Sequence, residues 1–333
     1  MRVVFAALAF HLEHTGSSSF FIDVLKAAYE DFHVVTDGDA WYEIPRLKPD
    51  LLIVWQRMFP PEELEGFGVR NIVIVPMYDA CPHTEEFWER YRAYKILCFS
   101  KALHDFLERR SFRSFHVRYS MEPISPGALE RRGGLRVFYW ERSLLINWAC
   151  VRTLLGGAPV ESLHYHRSSN ISAANPEGPT GEEIGRFHIV FSDWFGSRDE
   201  YLAALNDSTV YFAPRESEGI GLSFIEALAK GLCVVAPDAS TMNEYIEDGV
   251  DGILYDLARP TPLSFSDIDG IRARAVDRAK KDHRDWLAGI PAMLRFVESP
   301  LDGYAPRRHP GMYLARRARA FARHWYYRAR GLA

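Results

Sequence analysis

The chain reads as an α/β protein of two doubly wound domains facing a cleft, and three observations predict that fold class. Short apolar runs alternate with amphipathic runs along most of its length, the pattern of parallel sheets built from βα units. Its 333 residues are too many for one ordinary core. A polar, glycine-containing linker, Pro126 to Gly134, separates two halves that share the alternation. The expected organisation is therefore a first domain over residues 1–126, a second over 135–300, and a basic tail over 301–333.

The first strand is Val3 to Phe10; the loop His11 to Ser18 feeds an amphipathic helix from Ser19 to Tyr29. His33 to Thr36, Leu51 to Trp55, Ile72 to Pro76 and Lys95 to Phe99 have the apolar density of buried strands. Glu85 to Tyr91 and Ala102 to Arg109 read as helices, and Val117 to Tyr119 as the last strand of this half. Leu135 to Tyr139 opens the second half. There a strand at Thr209 to Ala213 runs into a glycine-bearing turn, an apolar helix, and a further strand at Leu232 to Ala236; the alternation reaches Asp256. Ligands of such sheets bind at the carboxyl ends of the strands.

Bulk properties exclude several classes. Apolar residues make up 47% and charged residues 25%, as in a globular protein. A net charge of -4 gives no overall footprint for nucleic acid. Cys81, Cys98, Cys150 and Cys233 have no paired spacing and read as reduced thiols in a cytoplasmic protein. No apolar run approaches a membrane span, and the N-terminus reads as a strand without a signal-peptide pattern.

The most informative segment is Pro214-Arg215-Glu216-Ser217-Glu218-Gly219-Ile220-Gly221-Leu222-Ser223-Phe224-Ile225-Glu226-Ala227-Leu228-Ala229-Lys230-Gly231. Its turn aims free backbone N–H groups above the sheet, and a helix N-terminus of this kind binds anions, phosphates above all. Glu218 and Glu226, separated by seven residues, are placed to accept hydrogen bonds from sugar or ribose hydroxyls. Gly219 and Gly221 permit close approach of backbone to ligand.

This segment resembles the donor-site signature of retaining glycosyltransferases of GT-B architecture, family 4 in particular. The family pattern is Pro-Ser-x-x-Glu-Gly-x-Gly-Leu-x-x-x-Glu-Ala-x-Ala-x-Gly-x-Pro-Val, followed by x-Glu-x-Ile-x-Asp-Gly-x-x-Gly. Here the later part reads Asn243-Glu244-Tyr245-Ile246-Glu247-Asp248-Gly249-Val250-Asp251-Gly252. The match extends over about forty residues. The resemblance implies a GT-B fold whose C-terminal helix returns to the first domain. It also implies a nucleoside diphosphate sugar as donor, with no metal and no other cofactor.

Residue by residue, the resemblance gives Glu218 the donor-sugar hydroxyls and Glu226 the ribose hydroxyls, with Gly219, Ile220, Gly221, Leu222 and Ser223 around the diphosphate. An arginine after the first strand of the second domain neutralises that diphosphate in the family; Arg142 stands there, with a surface salt bridge as the alternative. The family's lysine is absent, since Asn147 and Trp148 stand five and six positions beyond Arg142, and Asn147 is read as a donor-binding residue in that place. Arg215, where serine is usual, is the candidate for the second charge or another surface ion pair. On the acceptor side Thr15 to Ser19 occupies the place of a glycine-rich loop through Gly16, although an ordinary N-cap serine fits too. Tyr78 and Asp79 stand where many relatives carry a histidine, and His83 in the same loop is a substitute or merely a surface residue. Tyr165, His166, Ser192, Asp193 and Trp194 surround the expected base and sugar contacts. Asp37-Gly38-Asp39 and Asp267-Ile268-Asp269 read as turns, so no divalent metal is expected.

The implied reaction is transfer of a hexose-type sugar with retention of anomeric configuration to a glycan or lipid-linked acceptor, in bacterial envelope polysaccharide or lipopolysaccharide synthesis. Arg316, Arg317, Arg319, Arg323, Arg328 and Arg330 interleave with Leu314, Ala318, Phe321, Trp325 and Tyr326. That basic, aromatic stretch either lies on an anionic membrane surface, making the protein peripheral at the inner face, or packs on the first domain. Two other classes stay open: a non-catalytic subunit or scaffold of this fold, favoured by the missing lysine and histidine, and a sugar-nucleotide epimerase or a phosphorylase.

Overall fold

The computed structural model describes residues 1–12, 16–123, 134–168, 178–193, 195–301, 303, 315, 318, 319, 321 and 322. The chain divides into two compact units, Met1–Val117 with Gly289–Ala333, and Arg118–Ala288. Residues 118–123 thus cluster with the second unit and 289–300 with the first, whereas the linker reading placed them the other way.

The first unit runs β1 (Arg2–Ala7), α1 (Ser19–Ala28), β2 (Asp31–Thr36), α2 (Ala40–Leu47), β3 (Leu51–Trp55), α3 (Pro61–Gly66), β4 (Asn71–Val75), α4 (Glu85–Glu89), β5 (Lys95–Cys98), α5 (Lys101–Glu108) and β6 (Ser114–His116). Its six-stranded sheet has the order β2-β1-β3-β4-β5-β6, every pair parallel. All five residues of β3 are buried, as expected for a strand covered on both faces.

The second unit runs β7 (Leu135–Trp140), α6 (Trp148–Leu155), β8 (Val160–His166), α7 (Gly181–Arg186), β9 (Ile189–Ser192), α8 (Arg198–Asn206), β10 (Val210–Phe212), α9 (Leu222–Ala229), β11 (Cys233–Pro237), α10 (Met242–Tyr245), β12 (Ile253–Tyr255) and the long α11 (Ile268–Glu298). Its sheet has the order β12-β11-β10-β7-β8-β9, again wholly parallel. The strand order reverses between β7 and β10, the switch point at which sheets of this kind bind ligands beyond the carboxyl ends of their strands. In the first unit the reversal falls between β1 and β3.

The element types follow the sequence reading, with one instructive shift. The last strand of the first sheet is Ser114–His116, paired with Ile96 to Cys98, and not Val117 to Tyr119. Val117 and Tyr119 are nevertheless buried. Tyr119 earns its apolar environment edge-on against Trp286 of α11, and Arg118 pairs with Asp282 of the same helix. Alternation there reports packing on a helix, which strand patterning cannot distinguish from a ladder. The first strand likewise stops at Ala7, three residues short of the expected Phe10, which is exposed.

The return to the first unit is made by α11, upstream of the arginine-rich tail. From Gly289 its residues belong to that unit. Its end is held by Lys95, 1% exposed at the start of β5. The Lys95 Nζ donates to the carbonyls of Phe296 at 3.0 Å, Val297 at 2.6 Å and Ser299 at 2.5 Å. The last carbonyls of a helix lack intrahelical partners and carry partial negative charge, so a buried ammonium is well matched to them. Asn71 Nδ2 and Tyr29 Oη add hydrogen bonds to the same helix end, the latter to Glu298 at 3.0 Å. Of the tail, Phe321 is described, its ring 5.9 Å from that of Tyr42 on α2; Arg316, Arg317, Arg323, Arg328 and Arg330 lie outside the described residues.

Removing the Lys95 amine would take a buried, charged donor from three carbonyls at the end of the helix. Lys95→Ala is expected to lose about 1.5–3 kcal/mol of stability, read as a lower urea midpoint with an unchanged slope.

Candidate functional site

The site of the second unit is built from three loops that leave its sheet at the carboxyl edge. The first follows β7. Arg142 lies over the Trp140 ring at 4.5 Å from its centroid. Ser143, 5% exposed, accepts from the backbone N–H groups of Leu145 at 3.0 Å and Ile146 at 3.2 Å. The buried Tyr139 hydroxyl donates to the Ile146 carbonyl at 2.7 Å. Asn147 is the N-cap of α6: its Oδ1 accepts from Cys150 N at 3.0 Å and its Nδ2 donates to Leu144 O at 3.1 Å. Asn147 therefore serves the start of the helix, and Trp148 is buried with its Nε1 donating to Glu183. The position of the family's lysine is structural in this chain.

The second loop follows β10 and holds the signature segment. Gly221 caps α9 with φ +81° and ψ 48°, the left-handed region that L residues enter at a cost. A Cβ there would stand 1.8 Å from Phe224 Cε1, so the turn excludes any side chain twice over. Leu222 and Ser223 open the helix, and its first N–H groups have no side-chain cap. Gly219 and Ile220 are buried in the turn, and Arg215 and Glu218 are half-buried. Beneath this turn sits Tyr211 of β10, fully buried. Its phenol is held far above its usual pKa by burial, opposed by the Ser223 side chain beside it, with Glu218 and Glu226 raising it and Arg142 lowering it. Three of the four charged residues that the sequence reading brought to this site, all but Arg215, thus bear on one buried hydroxyl.

Glu226, on α9, is nearly covered. Its Oε1 accepts from Arg198 Nη2 of α8 at 2.9 Å, the arginine itself being exposed. The Tyr201 hydroxyl, one turn further along α8, also donates to it; burial first, then Tyr211 and Glu226, push that phenol well above its ordinary range. The carboxylate is therefore oriented from below by a tyrosine and from the solvent side by a guanidinium.

The third loop follows β9. Ser192 Oγ lies 2.8 Å from His164 Nε2 and 2.7 Å from His166 Nδ1, so one hydroxyl bridges two imidazoles of β8. Phe195 stacks on both rings, at 5.6 Å from His164 and 4.3 Å from His166. Phe138 stacks in turn on His164 and Tyr211. Burial, then His164, draw the His166 pKa down to about 4, and burial lowers that of His164. Asp193 turns outward into a two-point ion pair with Arg167. Tyr165 is buried behind this edge, against Tyr139 and Trp148; Trp194 lies outside the described residues.

The acceptor-side candidates belong to the first unit. Gly16 has φ +57° in the turn before α1, and its carbonyl accepts from Ser19 N at 3.0 Å. The N-cap of α1 is Ser18, whose side chain makes no cap hydrogen bond and is buried. Tyr78 and Asp79 form a short 3-10 turn after β4. His83 stacks on Tyr78 with centroids 4.2 Å apart, its Nε2 2.8 Å from the Tyr78 carbonyl. This loop thus gathers its three candidates. Of the Asp-x-Asp pairs, Asp37 and Asp39 fall in a turn, whereas Asp269 lies in the first turn of α11.

Sequence reading singled out Glu218, Glu226 and the glycine turn because they sit in one continuous pattern, and Arg142 from its place after the first strand of the second domain. It missed Tyr211, Tyr201, Arg198 and the Ser143 loop clamp. Tyr211 had the form of an ordinary core aromatic, and Arg198 of a surface charge at a helix start. Only the tertiary neighbours distinguish them.

Two outcomes are expected. Gly221→Ala should lower stability by at least about 1 kcal/mol, visible as a lower melting temperature. For His166 the folded pKa lies below the unfolded one, so between pH 6.5 and about 4 the unfolded chain takes up a proton that the folded chain refuses. Stability should fall as pH drops through that window, and His166→Asn should make the slope in urea titrations shallower.

Comparison with known proteins places this geometry. Residues 188–264, which span β9 to the segment after β12 and include Glu218 and Glu226, match the family model for glycosyl transferases group 1. No curated protein matches the chain significantly. Among solved structures, Alr3699/HepE of Anabaena in complex with UDP and glucose is similar at TM-score 0.65 and 12% identity, over 90% of this chain and all, 100%, of that one. The apo lipopolysaccharide outer core galactosyltransferase WaaB is similar at TM-score 0.55 and 15% identity, over 89% and 95%. Trehalose-6-phosphate synthase OtsA is similar at TM-score 0.59 and 15% identity, over 92% and 100%. The chain thus shares the two-sheet GT-B fold with known glycosyltransferases, and its segment at the carboxyl edge of the second sheet is similar to glycosyl transferases group 1.

Proposed function

We propose that the chain is a metal-independent, retaining glycosyltransferase that moves a hexose-type sugar from a nucleoside diphosphate sugar to a glycan or lipid-linked acceptor. The observation that carries this reading is that the Arg142 loop and the glycine turn with Glu218, Gly221 and Glu226 follow neighbouring strands, β7 and β10, at the reversal of the strand order. Cleavage of a sugar–phosphate bond builds negative charge on the leaving diphosphate. Arg142 and the uncapped N-terminus of α9 supply positive potential there, with Arg215 as a second cation, without a metal ion. Glu218 receives donor-sugar hydroxyls and eases the cationic character that develops at the anomeric carbon. Glu226, held by Tyr201 and Arg198, receives the ribose hydroxyls. The leaving phosphate accepts the acceptor's proton, so attack and departure take place on the same face.

The donor class draws support from HepE, whose structure holds UDP and glucose. WaaB, named for the lipopolysaccharide outer core, supports an acceptor in the bacterial envelope. No helix among the described residues is long and apolar enough to cross a membrane. On this reading the arginine-rich tail brings the chain to the anionic inner face as a peripheral protein. Gly16, Tyr78, Asp79 and His83 serve the acceptor.

The test is a thermal-shift and calorimetric panel of nucleoside diphosphates and their sugars, with and without magnesium. A ligand at a hundred times its Kd adds about 2.7 kcal/mol of stability. One nucleoside diphosphate should stabilise the protein equally with and without magnesium, and Glu226→Ala should weaken it tenfold or more, about 1.4 kcal/mol. Glu218→Ala should abolish transfer while sparing the bare diphosphate. A protein blind to every nucleotide would instead be the non-catalytic subunit of this fold.

A further inference from the structure

We propose that Ser143 and Glu216 form a positioning pair that fixes the Arg142 loop to the signature turn; the inference rests on the donor-site reading above. The Ser143 hydroxyl donates to Glu216 Oε1. A serine hydroxyl has one proton and two lone pairs. Here the oxygen accepts from Leu145 N at 3.0 Å and Ile146 N at 3.2 Å, so the remaining proton has a single use, the Glu216 carboxylate. Ser143 is 5% exposed, which protects the bond from competition by water.

The place of this bond gives it its effect. The ladder between β7 and β10 ends at the Tyr139–Phe212 pair. Beyond that rung the two chains continue as loops, one carrying Arg142 and the other Arg215 and Glu218. Ser143 directly follows Arg142, and Glu216 lies between Arg215 and Glu218. The side-chain bond continues the connection past the last backbone rung. Tyr139 pins the far end of the first loop through Ile146 O at 2.7 Å. The spacing between the Arg142 guanidinium, which meets the diphosphate, and the Glu218 carboxylate, which meets the sugar, then depends on the Ser143–Glu216 contact. Neither residue touches the donor; both act through their neighbours.

The experiment measures affinity for UDP, GDP and ADP, each against its monophosphate, by calorimetry on the full chain, with melting temperatures alongside. The ratio of diphosphate to monophosphate affinity reports placement of Arg142 against the outer phosphate. Glu216→Ala and Ser143→Ala should each reduce that ratio about tenfold, and the double variant should go no further, since the two residues act through one bond. Ser143→Thr keeps the hydroxyl and Glu216→Gln keeps an acceptor, so both should restore most of the ratio. A merely structural role would lower melting temperature and both affinities together, leaving the ratio intact; that result overturns the proposal, as does multiplication of the two effects in the double variant. Should Glu216→Ala fail to fold, Ser143→Ala against Ser143→Thr decides the matter in the same way. Wild-type protein that binds none of these nucleotides removes the donor-site reading itself, which is a different outcome from unchanged ratios in a wild type that binds.

Discussion

Both sheets are parallel and covered on both faces, and from that constraint the placement of the chemistry follows. Every backbone group inside such a sheet is taken up by the ladder, and the central strands β7, β10 and β11 are lined by residues such as Val137, Phe138, Phe212 and Val235 that have almost no exposure. A charged side chain inside that layer would be costly without a partner. The charged candidates of the second unit therefore stand in the loops and helices beyond the strand ends, and where the strand order of such a sheet reverses two neighbouring loops part and leave a crevice. Arg142 and the Pro214 to Gly221 turn leave the sheet on either side of that reversal. Tyr211 of β10 is a fully buried core aromatic whose phenol is held above its usual pKa by burial, with smaller effects from Ser223 and the nearby charges.

The three charged residues above Tyr211 are supported in different ways. Glu226 is held on two sides, by Tyr201 and by Arg198, before any ligand arrives. Arg142 rests on the Trp140 ring, where an attraction between cation and π-face helps to orient the guanidinium. Glu218 belongs to a turn whose shape is set by Gly221, at a backbone conformation and a distance from Phe224 that admit no Cβ. Preorganised charge of this kind acts on a developing ion without the cost of reorienting at the moment of reaction. The aromatic edge of His164, His166, Phe195 and Phe138 borders the same crevice, kept neutral and apolar by burial.

Much of this was legible in the chain. The βα alternation is a local signal, because a strand buried on both faces must be apolar throughout; β3 was read at its full length from Leu51 to Trp55. The signature turn was legible because its glycines and glutamates lie in one short stretch. The reading slipped at Val117 to Tyr119, where burial comes from α11 and not from a strand neighbour. It also gave Asn147 a ligand-side role, whereas the amide caps α6. An asparagine has the same appearance in sequence whether it faces a phosphate or its own helix.

The sequence by itself determined the fold class, the element types and the make-up of the glycine-bearing turn, since periodicity, glycine placement and short-range spacing are properties of contiguous residues. Only the tertiary structure decided which residues support that chemistry. Tyr201 and Arg198 stand beside Glu226 across two helices, and Lys95 closes α11 from a strand some two hundred positions away in the chain. Ser143 finds Glu216 across two strands, 73 residues apart. Contacts of that kind depend on strand order and loop geometry, and each partner alone is an ordinary tyrosine, arginine, lysine or serine. Pairing across the sheet, and burial that removes competing water, turn them into parts of one site and one core.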